Sequence, residues 1–241
     1  MSQKLVIIPT YNEIENIEKL IKNIFSQPVD FEILVVDDSS PDGTSSLVEQ
    51  LKKDYDNRLH LEIRPKKSGL GKAYLHGFKW ALDRKYDFIF EMDADFSHNP
   101  NDLIRLYNSC FKDNHDMAIG SRYITGVNVI NWPMRRVLLS WLASKYVKAI
   151  TGMPIEDTTA GFICYRRKVL ETIDLNRIKF VGYAFQIEMK FKAFQKGFRL
   201  QEIPVIFTDR TKGKSKMSSG IIKEAVFGVI SLKLKSLFGN I

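Results

Sequence analysis

Two aspartates separated by one residue, Asp93 and Asp95, follow the short apolar run Phe88–Met92. On an extended segment residues i and i+2 point to the same side, so both carboxylates approach one cation. A hard divalent ion such as Mg²⁺ or Mn²⁺ suits that supply, because it takes one or two carboxylates and leaves its other positions to phosphate oxygens and water. Two like charges held this close repel unless a cation or a proton intervenes. Asp37-Asp38 likewise follows an apolar run, Ile33–Val36, and leads into the turn Ser39-Ser40-Pro41-Asp42-Gly43. That segment reads either as a turn with a helix cap or as a strand end giving one Asp to a base or ribose hydroxyl of a nucleotide. The cations suited to phosphate are Arg122, Arg135, Arg136, Arg210, Lys212, Lys214 and Lys216. The last four lie in a Gly/Ser/Lys loop over 208–220, which reads as a solvated loop or as a cover for a diphosphate.

Other chemistries find no support. Ser68-Gly69-Leu70-Gly71-Lys72-Ala73 lacks the spacing of a phosphate-binding Walker loop, since Lys66 and Ala73 stand where Gly and Ser or Thr are needed. It reads instead as a flexible turn entering a helix. No GxGxxG follows the first strand, and His60, His76, His98 and His115 have no metal-ligand spacing. Phe191, Phe194 and Phe198 read as core.

The elements that must position these residues alternate. Leu5–Ile8, Ile33–Val36, Leu59–Ile63 and Phe88–Met92 read as strands, and Ile14 to Phe25, Leu47 to Leu51, Lys72 to Leu82 and Asn101 to Phe111 as helices. Asn12, Thr44 and Asn99-Pro100 supply start signals. Such alternation predicts a mostly parallel sheet covered on both faces, with ligands at the carboxyl ends of the strands. Pro9-Thr10-Tyr11-Asn12-Glu13, Asp37-Asp38 and Asp93-Ala94-Asp95 then fall on one edge. After residue 120 the pattern weakens: Val137–Ile150, Tyr183–Phe194 and Ile221–Phe238 read as helices and Phe162–Tyr165 as a short strand.

With 241 residues, 44% of them hydrophobic and 27% charged, the chain suits one larger α/β domain and excludes a disordered or low-complexity protein. Cys110 and Cys164 are too few for a disulfide framework, so a reducing, cytoplasmic setting is expected. No apolar run is long enough to span a bilayer. The net charge is +8, and the whole excess falls after Met189, where only Glu202, Asp209 and Glu224 oppose the lysines and arginines. A basic tail of this kind is a solvated face or the mark of an anionic partner.

PTYNE at 9–13, DDSSPDGT at 37–44, GLGKAYLHGF at 69–78, MDADFSH at 92–98, GSRY at 120–123, DTTAGF at 157–162, YAFQIEM at 183–189 and RTKGKSKMS at 210–218 occur in this order. Together they resemble the polyprenol-phosphate (dolichol-phosphate) mannosyltransferases of glycosyltransferase family two, from about residue 4 to residue 220. The resemblance implies an α/β glycosyltransferase A fold, a mostly parallel central sheet flanked by helices. It forms a single nucleotide-sugar-binding domain at 1–220, followed by an amphipathic C-terminal helix at 221–241. It also implies inverting transfer of mannose from GDP-mannose to a polyprenyl (dolichyl) phosphate with Mg²⁺ or Mn²⁺. Carried over position by position, Pro9, Tyr11, Glu13, Val36 and Asp38 frame the nucleotide. Asp93 and Asp95 hold the metal on the diphosphate, Ala94 lines the sugar nucleotide, and Arg210 and Lys216 belong to the covering loop. Arg122, Arg136 and Ser140 receive the acceptor phosphate. Asp95, Arg122 and Asp157 form the catalytic set, Asp157 as a base or an orienting group.

The acceptor phosphate is already anionic, which explains a site without a catalytic histidine. Many relatives carry transmembrane helices after the catalytic domain, which this sequence does not show. The expected place is therefore peripheral, on the cytoplasmic face of a membrane, with Ile221–Phe238 either in the interface or packed on the core. Two alternatives remain at this point. One is glucose transfer from UDP-glucose; the other is a non-catalytic role beside a membrane partner subunit. Nucleic acid is not an expected partner, because no binding module accompanies the basic tail.

Overall fold

Short runs that are apolar on both sides build the middle of the molecule. In β1 (Lys4–Thr10), Leu5 and Ile7 face one layer of helices while Val6 and Ile8 face the other, and all four are fully buried. The structure, a computed structural model, describes residues 2–55, 57–209 and 219–237. β2 (Glu32–Asp37), β3 (Leu59–Ile63) and β4 (Phe88–Glu91) join β1 in parallel. The sheet continues through β7 (Ile163–Arg166), antiparallel to both β4 and β5 (Met117–Ser121), to β8 (Leu200–Pro204), which runs parallel with β5. The resulting order of seven strands is β3-β2-β1-β4-β7-β5-β8. β6 (Val129–Ile130) and β9 (Phe207–Thr208) form a separate parallel ribbon.

One face carries α1 (Ile17–Phe25), α2 (Thr44–Leu51) and α4 (Asp102–Phe111); Ile17, Leu20, Ile21 and Ile24 of α1 recur at helical spacing and bury against β1 and β2. The other carries α3 (Leu70–Asp83) and α7 (Tyr183–Gln195), whose Tyr74, Phe78 and Phe185 form the opposite core. α3 enters through Gly69 at φ 99° and passes so close to β1 that a Cβ at Gly77 would lie 2.7 Å from Ile7 Cγ2. α6 (Arg167–Thr172) follows β7, and α5 (Met134–Thr151) packs against α8 (Ser219–Leu237).

Several local expectations are corrected. α1 starts at Ile17, after Asn16, while Asn12 sits in the left-handed region at φ 60° and begins no helix. Thr44 is the first residue of α2 and Gly43 its N-cap; Asp42 closes the preceding turn, its Oδ1 accepting from Thr44 N at 3.0 Å and Thr44 Oγ1 at 2.6 Å. The expected helices and strand after residue 120 are present, but β5, β6, α6, β8 and β9 were not anticipated. α8 begins before residue 221 and is packed rather than detached: Val229 and Leu232 enter the core, while Phe227, Ile230, Leu234 and Leu237 are exposed. Phe191 is buried, and Phe194 and Phe198 pack against the same core, as expected.

Candidate active site

β1 and β2 end side by side, with Pro9 opposite Val36 and Thr10 opposite Asp37. Asp37 is fully buried and consumed by this junction. It accepts from Thr10 Oγ1 at 2.7 Å, from Ser40 N at 2.8 Å and from Ser40 Oγ at 2.6 Å. The next carboxylate, Asp38, pairs with Arg64 Nε at 2.9 Å. Burial pushes its carboxyl up and outweighs the opposing pull of Arg64. The loop after β1 is tied to the loop after β2, because Asn12 N donates to Ser40 Oγ, Glu13 N to Thr44 Oγ1 and Ile14 N to Asp42 Oδ2. Lys67 Nζ lies 4.1 Å from the Tyr11 ring centroid. Pro9, Tyr11, Glu13, Val36 and Asp38 are thereby gathered at one end of two strands, as a shelf with one aromatic ring and two carboxylates.

Asp93 and Asp95 follow β4, but not on an extended segment. The backbone is bent over 94–98, with Phe96 at φ 59°, so strand alternation does not place the two side chains. Tyr74 Oη donates to Asp93 Oδ1 at 3.3 Å, and Ser97 N to Asp95 Oδ1 at 3.0 Å. Asp93 N donates to His98 Nδ1 at 3.2 Å, so that nitrogen is an acceptor. The His98 ring lies parallel to Phe162, centroids 4.8 Å apart, with Phe207 edge-on at 5.6 Å. Burial in this aromatic wall brings its pKa down to about 4, which keeps it neutral at pH 7.

Both aspartates line a cavity of about 390 Å³. Arg122, Arg136 and Ser140 line it too, and α5 gives it an apolar wall of Leu139, Leu142, Ala143, Tyr146 and Val147. Beneath it, Arg122 grips the fully buried Asp157: Nε reaches Oδ2 at 2.7 Å, Nη2 reaches Oδ1 at 2.6 Å, and Arg122 N adds a third bond at 2.9 Å. Burial alone would raise Asp157, but Arg122 overcomes it and holds the carboxyl below the ordinary range. Glu202 accepts from the amides of Glu156 and Asp157, each at 2.8 Å, and fixes that segment. Arg136 pairs with Asp209 at 2.8 Å.

The sequence-expected residues therefore divide into two groups on one edge. Pro9, Tyr11, Glu13, Val36 and Asp38 form the shelf, while Asp93, Asp95, Arg122, Arg136 and Ser140 meet in the cavity. Ala94, nearly buried, sits between the two aspartates. Asp157 supports the cavity from below without lining it. Arg210 and Lys216 lie outside the described residues. Trp132, Thr159, Gln186 and Phe207 also line the cavity and were not singled out; Gln186 had a signal, its place in YAFQIEM, whereas Phe207 had none.

Gln186 Nε2 and Tyr165 Oη both donate to the buried Glu91, and Lys190 Nζ donates to the carbonyls of Ala160 and Gln186. Burial pushes Glu91 up to about 7 and Lys190 down to about 8, each softened by the other's charge.

No group of three metal-ligating side chains occurs among the described residues. Two carboxylates facing one cavity remain the donor set for a hard cation that takes its other ligands from phosphate and water. The same cavity offers guanidinium, hydroxyl and apolar surface together, which suits an amphiphile with an anionic head.

Comparison with known proteins gives the family and the fold. The description Glycosyl transferase family 2 matches residues 5–174. A polyprenol monophosphomannose synthase of Mycolicibacterium smegmatis is 48% identical over 225 residues, 93% of this chain and 84% of that protein. An undecaprenyl-phosphate mannosyltransferase of Micrococcus luteus is 43% identical over 93% of this chain and 91% of that protein. Among solved structures, glucosyl-3-phosphoglycerate synthase from Mycobacterium tuberculosis, in complex with Mn²⁺, UDP and glucosyl-3-phosphoglycerate, aligns with TM-score 0.69 at 16% identity. That alignment covers 98% of this chain and 80% of the other. A mannosyltransferase from Pyrobaculum calidifontis in complex with GDP-Man and Mn²⁺ aligns with TM-score 0.60 at 18% identity, covering 98% and 74%. The fold is the expected glycosyltransferase A arrangement, and the chain belongs to glycosyl transferase family 2.

Proposed function

We propose that the protein transfers mannose, with inversion, from GDP-mannose to a polyprenyl phosphate, using Mg²⁺ or Mn²⁺ held by Asp93 and Asp95. The observation that carries this reading is the cavity itself. It brings the two carboxylates that follow β4 together with Arg122, Arg136 and Ser140 in one space walled by apolar residues of α5. A nucleotide sugar on the shelf of β1 and β2 points its sugar toward that space, and a phosphate on an apolar tail fits its far side. The names of the two relatives, one acting on polyprenol and one on undecaprenyl phosphate, support the same acceptor class.

The chemistry follows from the groups available. Tyr11, Glu13 and Asp38 hold the nucleoside, with Pro9 and Val36 forming the floor, and Arg210 and Lys216 belong to the segment that covers it. Arg122, Arg136 and Ser140 orient the acceptor phosphate. One of its oxygens attacks the anomeric carbon of mannose from the face opposite the diphosphate. The bond from that carbon to the diphosphate oxygen breaks, and GDP leaves with the electron pair. A phosphate monoester is anionic at neutral pH, so positioning and charge stabilisation supply the rate. When bound, the divalent cation neutralises charge developing on the diphosphate. Asp157 acts by keeping Arg122 in place, since Arg122 occupies both of its oxygens.

The acceptor's tail implies a lipid surface. No helix among the described residues is long and apolar enough to cross a membrane. The packed pair α5 and α8 instead exposes Met134, Leu138 and Trp141 on one helix and Phe227 and Leu234 on the other. We assign these residues to peripheral contact with the cytoplasmic face of a membrane.

The test is transfer of labelled mannose from GDP-mannose into an organic-extractable product with purified protein, a polyprenyl phosphate and Mg²⁺ or Mn²⁺. Label that enters the lipid phase and is lost with EDTA and in Asp95→Ala supports donor, acceptor and metal together. Preference for UDP-glucose would overturn the mannose assignment. Failure with every donor would favour a non-catalytic role or dependence on a membrane partner subunit.

A further inference from the structure

The chain between β6 and α5 carries Trp132 into the cavity wall beside the two arginines. Its indole centroid lies 4.0 Å from the Arg136 guanidinium carbon and 5.4 Å from that of Arg122. Phe207 meets the ring edge-on, with centroids 5.2 Å apart. The indole Nε1 is enclosed and has no hydrogen-bond partner among the described residues. An enclosed N–H without an acceptor is costly, and buried indole nitrogens ordinarily find one.

We propose that the Trp132 indole N–H is a donor for the acceptor phosphate, completing a site whose other donors are Arg122, Arg136 and Ser140. This rests on the reading of the cavity as the acceptor site. Two arguments favour a phosphate oxygen as the missing partner. The indole is a donor only, so it calls for an acceptor atom, and it lies among the guanidinium groups that would draw an anion there. Each guanidinium is also paired already, Arg122 with Asp157 and Arg136 with Asp209. Much of their charge is therefore offset, and binding of a phosphate head depends on directed N–H groups as well as on net charge. The indole face adds a second effect, because stacking holds the Arg136 plane in one orientation.

Steady-state kinetics with farnesyl phosphate as the varied acceptor test this, in Trp132→Phe, which keeps an aromatic face and removes the N–H. The expected result is a rise of about tenfold in the KM for farnesyl phosphate, the loss of one hydrogen bond to a charged group. The KM for GDP-mannose and kcat stay within about twofold of the parent. Inhibition by inorganic phosphate weakens in parallel, while inhibition by farnesol, which has the tail without the head, is unchanged. Trp132→His, a smaller ring that retains an N–H, recovers part of the affinity. An unchanged acceptor KM in Trp132→Phe overturns the proposal. If Arg136→Met raises that KM while Trp132→Phe does not, the acceptor site stands and the indole has no part in it. If neither variant moves it, the reading of the cavity falls as well. A general loss, with both KM values rising and kcat falling in Trp132→Phe, marks a structural role and also overturns the proposal.

Discussion

Replacing Asp157 by Asn separates two roles that one carboxylate in this place can have. The side chain is 0% exposed and Arg122 only 7%, and three hydrogen bonds of 2.6 to 2.9 Å join them. Breaking a buried ion pair from one side costs about 3–5 kcal/mol, because the remaining charge is left without its partner. Asn keeps the shape and one acceptor oxygen, so the low end applies, about 3 kcal/mol. In a chain of this size each kcal/mol moves the melting temperature by about 2–4 °C, which gives a fall of roughly 6–12 °C. Turnover drops through a misplaced Arg122, by about tenfold. Urea unfolding followed by circular dichroism gives the first quantity and single-turnover mannose transfer the second.

The pH dependence carries the same signature. The folded carboxyl lies below its unfolded value, so the folded state binds fewer protons and the pair's stabilisation is complete above the unfolded pKa of about 4. It is lost as pH falls further, through the folded pKa, and Asp157→Asn lacks that acid limb. A variant as stable as the parent whose turnover falls a thousandfold or more would refute the pairing argument and make Asp157 a general base.

Asp93→Asn and Asp95→Asn each abolish Mn²⁺ binding in calorimetry, with the melting temperature unchanged or raised, because a pair of like charges is relieved. Gly77→Ala destabilises by about 1–2 kcal/mol in urea, against the usual gain from Ala in a helix, because the new Cβ meets Ile7 Cγ2 at 2.7 Å. Lys190→Met removes the cation that favours charged Glu91, whose folded pKa of about 7 already exceeds the unfolded value of about 4.3. Since stability then falls as pH rises through that window, unfolding measurements show a larger loss at pH 8 than at pH 5. Met134→Ser with Leu138→Ser lowers binding to acidic-lipid vesicles by about tenfold in flotation while turnover on a short, soluble acceptor is kept.

In the parallel half of the sheet β1, β2 and β4 were legible because they are buried on both faces. Leu5, Val6, Ile7 and Ile8 form an unbroken apolar run that only a covered strand explains, and the polar residues after such runs fall on one edge by construction. Asp93 and Asp95 both reach the cavity, but not through the strand alternation that their spacing suggests, since the backbone is already bent at Ala94. The second half was less legible for two physical reasons. β6 and β9 are two residues long, and β8, at the sheet edge, mixes Gln201 and Glu202 with Leu200 and Ile203, so neither shows a period. The partners that build the cavity are also far apart in the chain. Arg122 and Asp157 are separated by 35 residues and Arg136 and Asp209 by 73, and such pairs leave no local pattern.

The separation of Arg122 from Asp157 is closed by β7, the strand of the seven that runs against the rest. β1, β2, β4, β5 and β8 deliver their exits to the functional edge, which places Tyr11, Asp38, Asp93, Arg122 and Phe207 just beyond it. β7 is reversed, with Ile163 opposite Glu91 and again opposite Ile119, so it delivers its entry to the same edge. The segment leading into it, from Asp157 to Phe162, therefore arrives between the exits of β4 and β5. Phe162 O accepts from Gly120 N at 2.8 Å, and the Phe162 ring stacks on His98. Asp157 meets Arg122 as soon as that residue leaves β5. A parallel strand in this position would have sent the same residues to the opposite end of the sheet. The reversal is thus what supplies Arg122 with its carboxylate and lets the segment from Asp157 to Phe162 reach the cavity lined by Asp93 and Asp95.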